Sequence, residues 1–164
     1  MALNTNPASW VTNERPPASK MHTEIHDAIA GIQAGWDSWS PYLLATSSNP
    51  NLGSGGSGIG YMTRIGQTID INGVLNFGSS GTAPGSGDYR VGLPIPALAF
   101  NTIIGSAVFL DSSAGAYYTA VLRRIGTLVA AVHITGTPGV MSASWPVVPS
   151  ANDVIYFNAR YQAA

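Results

Sequence analysis

Two histidines near the N-terminus have a spacing that permits metal binding. His22 and His26 are four positions apart, so on a helix both side chains lie on one face. Zinc proteases place a glutamate directly after the first histidine or directly before the second, whereas Glu24 lies midway between them. The pattern therefore predicts no catalytic metal, and we interpret both histidines as solvated or interface residues. A structural metal is the alternative, and no cofactor is predicted.

Hydrolytic chemistry would need a pair of carboxylates or an activated serine. The second part of the chain supplies Asp70, Asp88, Asp111 and Asp153. Asp88 and Asp111 lie in turn-like sequence, where aspartate commonly makes local hydrogen bonds. His133 is the only histidine of this part, and no serine is marked as its partner. We therefore predict no catalytic residues and no enzyme, with a carbohydrate-active enzyme as the least favoured alternative.

The run from Gly53 to Gly58 matches the G-x-G-x-x-G phosphate-binding pattern letter by letter. That pattern binds a dinucleotide only where a strand precedes it and a helix follows it. No strand is predicted directly before Gly53, no helix is predicted after Gly58, and a strand is predicted to begin at Ile59. The run is therefore predicted to be a surface loop.

Aromatic and arginine side chains are better candidates for a functional surface. Tyr117 and Tyr118 begin a predicted strand and point to opposite faces, so one ring is expected outside the core. Aromatic rings on a β-surface stack on sugars or anchor a protein partner. We predict Tyr117 and Tyr118 as a recognition surface, with ordinary strand residues as the alternative. Arginines within strand-like runs, such as Arg160, favour buried or intersubunit pairing with carboxylates such as Asp70.

The elements that must position these residues change near residue 40. Residues 1–17 are predicted to be an extended arm, because proline disfavours helix in the residue before it. Trp10 would anchor this arm on another protein, and a disordered lead is the alternative. A helix is predicted from about Lys20 to Ala34, with Ser19 as its N-cap. Its apolar seam follows a 4-3-4 spacing: Met21, Ile25, Ala28 and Ile32. So short a seam must pack on its own β-domain or on neighbouring copies.

From residue 41 onwards the pattern is typical of short antiparallel strands. Strands are predicted at 42–45, 59–65, 68–77, 89–95, 103–110, 117–125, 128–134 and 154–161. The Gly- and Ser-rich segments 49–58 and 78–87 are expected to be flexible loops at the outward end. The predicted fold is mainly β, an antiparallel β-sandwich or jelly roll preceded by an extended arm and one short α-helix. Residues 1–40 are predicted to be an attachment unit and residues 41–164 the β-sandwich domain.

The composition limits the classes of function. Charged residues make up only 9% of the chain, and the formal net charge is -1, so nucleic-acid binding has no electrostatic basis. There are no cysteines, which excludes disulfides and thiolate chemistry. No secretory signal is predicted, and no apolar run reaches the roughly 18 residues of a membrane span. A surface this low in charge favours association with further copies.

Two segments resemble a known class of protein. The run ASKMHTEIHDA from Ala18 to Ala28, after Trp10-Val11 and a proline pair, resembles the W-V…A-S-K-M-N-T-E-I-R-D run of many tailed-phage virion proteins. His22 and His26 stand where that family often has Asn and Arg. The stretch Thr46–Pro94 resembles a β-domain of minor tail, fibre and related surface proteins of phages of actinobacteria. The segments 105–111, 117–118 and 152–161 continue this resemblance.

The resemblance implies a structural protein of the virion. For the location within the virion we predict a tail-tip or fibre module, attached through the N-terminal arm and displaying a β-domain for host-surface contact. The alternative is a capsid decoration protein that stabilises the head. The implied partners are further copies in a homotrimer and other virion proteins of the tail or capsid. The predicted host-surface contact adds a host cell-surface glycan as a partner. The expected location is the virion surface, after synthesis in the host cytoplasm.

Overall fold

This computed structural model describes residues 17–19, 22, 29, 35–98, 102–136 and 139–164. Nine β-strands lie within these residues. They are β1 (Asp37–Trp39), β2 (Leu43–Ala45), β3 (Ser57–Ile65), β4 (Thr68–Asn76), β5 (Tyr89–Gly92), β6 (Ile103–Asp111), β7 (Ala116–Arg124), β8 (Val129–Ile134) and β9 (Val154–Gln162). They form one antiparallel sheet in the order β1-β3-β4-β9-β6-β7-β8-β5-β2. The prediction of a mainly β, antiparallel fold is confirmed.

The hairpin of β3 and β4 shows how the sequence produces this sheet. The turn between the two strands is Gly66-Gln67, and Gly66 has a φ of 61°, in the left-handed region that favours glycine. In β4, Ile69, Ile71 and Leu75 are buried, and the polar residues between them face the opposite side. This confirms the antiparallel strands predicted at 59–65 and 68–77, and burial in β4 alternates along the strand.

One face of the sheet encloses a single apolar core. The core residues of β4 and β9, such as Leu75 and Ile155, belong to the same cluster as Val91 of β5 and Val132 of β8. Those two pairs of strands lie far apart in the strand order. A flat sheet could not bring their side chains together, so the sheet curls around the core. We call the enclosed side the inner face and the opposite side the outer face.

The segment Asp37–Ala45, which we call the closing segment, joins the two edges of the curled sheet. Its first half is β1, at one edge, and its second half is β2, at the other. Only residues 40–42 separate the two strands, and a chain from Trp39 to Leu43 spans at most about 14 Å. The two edges therefore lie close together. The sheet thus includes residues 37–39, which the predicted boundary at residue 40 assigns to the attachment unit.

Glycines allow the closing segment to approach its neighbours. The Trp39 ring lies against Gly60, where a Cβ atom would be 2.5 Å from the indole Nε1. Trp39 also meets Phe157 edge-on, with ring centroids 6.2 Å apart. The Gly92 N–H donates to the Tyr42 carbonyl at 3.1 Å. The Trp39 and Tyr42 rings can approach this closely because Gly60 and Gly92 carry no side chain.

The two Gly- and Ser-rich segments are paired with each other rather than forming open loops. The N–H groups of Asn51 and Ala83 donate to each other's carbonyls, at 2.8 and 3.0 Å, and Ser48 pairs with Ser86 in the same way. The Tyr89 hydroxyl donates to the Pro84 carbonyl at 2.6 Å, and burial raises the pKa of Tyr89 to about 12. We call residues 46–56 and 77–88 the irregular ladder. The irregular ladder connects the β2–β5 pair to the β3–β4 hairpin. The sequence predicts two flexible loops here, whereas the structure shows two segments joined by backbone hydrogen bonds.

Little of the predicted N-terminal arm and helix lies in the described part of the chain. Ala18, Ser19, His22 and Ile29 are helical and exposed. The predicted anchor and seam residues lie outside the described residues: Trp10, Met21, Ile25, Ala28 and Ile32. Their role in attachment therefore stays a prediction.

The close approach of the closing segment to β3 predicts that one methyl group added at Gly58 destabilises the fold. In Gly58→Ala the new Cβ would overlap the backbone carbonyl of Pro41, which cannot rotate away as a side chain can. We expect the free energy of unfolding to fall by about 1–3 kcal/mol, the usual cost of overpacking. Chemical denaturation measures this change.

Gly35→Ala is the matched control, since a Cβ there would meet nothing within 4 Å. Equal stability of the Gly58→Ala and Gly35→Ala variants would contradict the close approach of the closing segment to β3.

Candidate functional site

Cross-strand pairing determines which side chains share the outer face of β3, β4, β9 and β6. Residues that are direct partners in an antiparallel pair point to the same side. Tyr61 pairs with Asn72, Asn72 with Asn158, and Asn158 with Ser106. These four residues form a polar row across the outer face. The neighbouring apolar row, two positions along each strand, consists of Ile59, Val74, Tyr156 and Val108.

The polar row keeps much of its hydrogen-bonding capacity free. The Ser106 hydroxyl lies 3.1 Å from the Asn158 Oδ1 and donates to it. Within the described part of the chain, the side-chain amide of Asn72 makes no hydrogen bond. Both Asn72 and Asn158 are exposed. A side-chain amide offers two donors and an acceptor with two lone pairs. The centre of the outer face therefore presents donors and acceptors to an incoming molecule.

An ion pair flanks the polar row on the side away from the apolar row. Arg160 donates from Nε to Asp70 Oδ1 at 2.6 Å and from its terminal nitrogen to Oδ2 at 3.0 Å. The hydrogen bond from Arg160 and the negative charge of Asp70 raise the pKa of the guanidinium. The sequence predicts Asp70 as an arginine partner, but the pair lies on the outer face, with the Arg160 side chain 74% exposed. The two charges compensate each other locally.

Large, exposed apolar side chains lie within and beside the polar row. The exposed fraction is 49% for Tyr61, 44% for Tyr156, 53% for Ile59 and 51% for Trp36. Natural antiparallel sheets commonly place polar residues on a solvated face. Such a concentration of exposed apolar rings is typical of a binding surface.

Two adjoining depressions run along the outer face. The first, of about 290 Å³, is lined by Tyr156, Val74, Val108, Ser106 and the two asparagines. The second, of about 410 Å³, is lined by Trp36, Asp70 and Arg160 together with the same asparagines. Because both share Asn72 and Asn158, we describe them as one outer-face groove. The groove has aromatic rings towards both ends and amides in the middle.

The predicted recognition residues lie elsewhere on the sheet. Tyr117 is on the outer face of β7 and is 68% exposed, whereas Tyr118 points inwards, its ring stacked on Phe109 at a centroid distance of 6.0 Å. One of the two rings is outside the core, as the strand alternation predicts. Neither residue lines the groove. Their role in recognition stays a prediction.

The groove residues carry a signal in the sequence that could have been used. From Val154 to Gln162, the outer-face residues Tyr156, Asn158 and Arg160 alternate with buried apolar residues. This alternation marks an outer face with an aromatic, an amide and a charge. The register that brings Asn158 beside Asn72 joins strands more than 80 positions apart in the sequence. No local pattern determines that register.

Two of the other three candidate carboxylates, those of Asp111 and Asp153, hold turns. Asp111 Oδ1 accepts hydrogen bonds from the Ser113 N–H at 3.0 Å, the Ser113 hydroxyl at 2.7 Å and the Ala114 N–H at 3.2 Å. Asp153, which is fully buried, accepts from the N–H groups of Ser112 and Ser150 at 2.9 and 2.7 Å. Both carboxylates therefore hold the chain at the end of β6 and the start of β9.

Of the remaining candidates, Asp88 and His133 lie near enough to interact through charge. Burial, followed by the charge of Arg123, lowers the pKa of His133 and favours its neutral form, and the charge of Asp88 opposes this shift. His22 is exposed, and His26 lies outside the described residues. Across residues 35–98, 102–136, 139–164 and the few described before them, no three His, Asp or Glu side chains are placed to hold a metal ion. In the same residues, no helix is long and apolar enough to cross a membrane.

Comparisons with protein-family models, curated proteins and solved structures found no match for this chain.

The turn formed by Asp111 predicts a pH-dependent stability. The hydrogen bond from Ser113 is the largest cause that holds the pKa of Asp111 below its ordinary value of 3.8. Stabilisation by the carboxylate is therefore fully present above pH 3.8 and is lost as the pH falls through the folded-state pKa. We expect Asp111→Ala to lower the melting temperature at neutral pH, with the difference from the wild type narrowing below pH 3.8.

The control is Asp37→Ala, which removes the same charge from an exposed position of β1. Melting curves of the three proteins between neutral and acidic pH test the assignment. A difference for Asp111→Ala that is constant down to the most acidic pH would contradict a structural role of the ionised carboxylate.

Proposed function

We propose that this chain is a structural protein of a tailed-phage virion, a tail-tip or fibre module that displays its β-domain for contact with the host surface. The sequence resemblance of residues 18–28 and 46–94 supports the virion assignment. The observation that carries the binding role is the outer-face groove, where exposed aromatic rings flank side-chain amides that keep free hydrogen-bonding groups. Localising the chain in intact particles with an antibody and electron microscopy tests the assignment.

We propose a jelly-roll or sandwich arrangement of the strands. Residues 43–91 act as one long irregular hairpin, whose β3–β4 end pairs with β9 and whose β2–β5 base pairs with β8. The closing segment crosses from one edge of the sheet to the other. A long hairpin folded across both halves of a β-structure supports this arrangement.

We propose a binding role and no enzymatic activity. Asp111 and Asp153 are committed to turns, and Asp70 is committed to Arg160. Glycoside hydrolysis needs two carboxylates that are free to act on one bond. These commitments weigh against the carbohydrate-active enzyme.

The second candidate is a capsid decoration protein. It is favoured by exposed apolar residues outside the groove, among them Ile65 at 49%, Ile103 at 62% and Tyr117 at 68%. Neighbouring subunits in a shell would cover such residues. The position of the chain in the particle separates the two roles, since a decoration protein lies on the head and a fibre module on the tail.

We expect the purified protein to be a homotrimer. Its low charge, its exposed apolar residues and the short seam from Met21 to Ile32 all favour burial between copies. Light scattering coupled to size-exclusion chromatography measures the mass. A folded monomer that persists at micromolar concentration would exclude this assembly.

We expect deletion of residues 1–35 to leave the β-domain folded but to prevent its incorporation into particles. The described core is built from residue 39 onwards, so it does not need the deleted residues, whereas Trp10 and the seam are removed with them. Circular dichroism checks the fold, and immunoblotting of purified particles measures incorporation against the full-length protein supplied in parallel. Normal incorporation of the truncated protein would place attachment in the β-domain instead.

A further inference from the structure

We propose that the outer-face groove is a binding site for a neutral oligosaccharide, with Tyr156 and Trp36 as stacking platforms and Asn72 and Asn158 as the hydrogen-bonding centre. The groove's combined depressions are within the roughly 300–1,000 Å³ range of small-molecule sites. The inference rests on the proposed function only for the source of the sugar, a host surface.

The distribution of polarity in the groove favours a sugar over a protein partner. Protein–protein interfaces have an apolar centre and a polar rim. Here Asn72, Asn158 and Ser106 form the centre, while Tyr156 and Trp36 lie towards the ends. A protein covering this surface would bury free amide groups at its centre, which costs free energy unless each finds a partner. A sugar carries hydroxyls along its whole length and supplies those partners.

The hydrogen-bonding groups match the chemistry of sugar hydroxyls. A hydroxyl both donates and accepts, and a side-chain amide has separate donor and acceptor atoms. Asn72 has both kinds free within the described structure, and Asn158 keeps its amide N–H donors while Oδ1 accepts from Ser106. Two adjacent amides of this kind can bind neighbouring hydroxyls of one ring.

The aromatic rings match the other side of a sugar. The C–H groups on one face of a pyranose are weakly positive, and the face of an aromatic ring is negative. Tyr156 and Trp36 lie on opposite sides of the amide pair and are about half exposed. A ligand that reaches both rings while contacting the amides must be longer than one sugar unit. The geometry therefore favours an oligosaccharide.

The electrostatics favour a neutral ligand. Asp70 and Arg160 are the charged residues of the groove, and their bidentate pairing compensates both charges. An anionic ligand would have to compete with Asp70 for Arg160. Because the groove is open and shallow, one copy would bind weakly, and several copies on a particle would gain by avidity.

Amide chemical-shift mapping with neutral gluco-, manno- and galacto-tetraoses tests the site on the full-length protein. At about 10 mM sugar, a concentration that detects millimolar affinity, we expect one of the three to shift the side-chain amide signals of Asn72 and Asn158. Absence of shifts with all three overturns the inference. Shifts confined to residues near Tyr117 also overturn it, because the site would then lie elsewhere.

Matched variants test the roles of the residues. We expect Tyr156→Ala and Asn72→Ala each to weaken binding at least about tenfold, which corresponds to 1.4 kcal/mol. The comparison variants are Tyr117→Ala, an exposed tyrosine of the same face, and Asn76→Ala, an outer-face asparagine of the same strand. If a groove variant and its comparison variant lose sugar affinity equally, the inference is overturned. If a variant fails to fold, the chemical-shift mapping on the wild-type protein decides.

The outcomes separate this inference from the proposed function. A protein that binds a tetraose through Tyr156 but is absent from particles retains the sugar site and loses the virion role. A protein that is present on particles but shows no shift with any tetraose retains the virion role and loses the site. If the side-chain amide signals of Asn72 show instead that this residue is buried between copies in the trimer, the groove is a subunit interface and the inference is overturned.

Discussion

The closing segment is the constraint on which the rest of this structure depends. A single stretch, Asp37–Ala45, pairs with β3 through its first half and with β5 through its second half, so the two edges of a nine-stranded sheet are held together within the described chain. The contact is steric as well as hydrogen-bonded. Trp39 lies on Gly60, and Phe157 occupies the space above Gly73, where a Cβ would be 2.4 Å from its ring. Along this row the two aromatic rings flank two adjacent glycines, which allows close packing without overlap.

Because the sheet is closed, its inner and outer faces have different roles. The inner face holds the apolar core, and a sheet edge protected by short paired strands is a poor template for unwanted pairing with other chains. The outer face of β4 and β9 is then free to carry residues that contribute little to folding, such as Asn72 and Tyr156. Few charged residues are needed, and several of them have local structural tasks, as Asp111 has in its turn. A rigid scaffold with a neutral, amide-centred groove suits recognition of a polar, uncharged ligand.

Local patterns predicted much of the fold, and long-range pairing did not follow from them. The β3–β4 hairpin and the strand beginning at Val154 were predictable because apolar and polar residues alternate over their whole lengths. The sequence does not predict β1, because its three residues are too few to show a period. The sequence predicts loops for the irregular ladder because glycine and serine favour turns locally, whereas in the structure they permit close backbone pairing. The groove depends on the Asn72–Asn158 register, which tertiary packing determines.

The most direct test of the closed sheet is one nuclear Overhauser spectrum of the full-length protein in solution. The account predicts two sets of contacts in the same molecule: the Trp39 indole with the Gly60 α-protons and the Phe157 ring, and the Tyr42 ring with the Gly92 α-protons. The first set reports β1 on β3, and the second reports the approach to β5. Observation of both sets supports a sheet closed by one segment. Observation of only one set would show that an edge of the sheet is open, and would contradict the account.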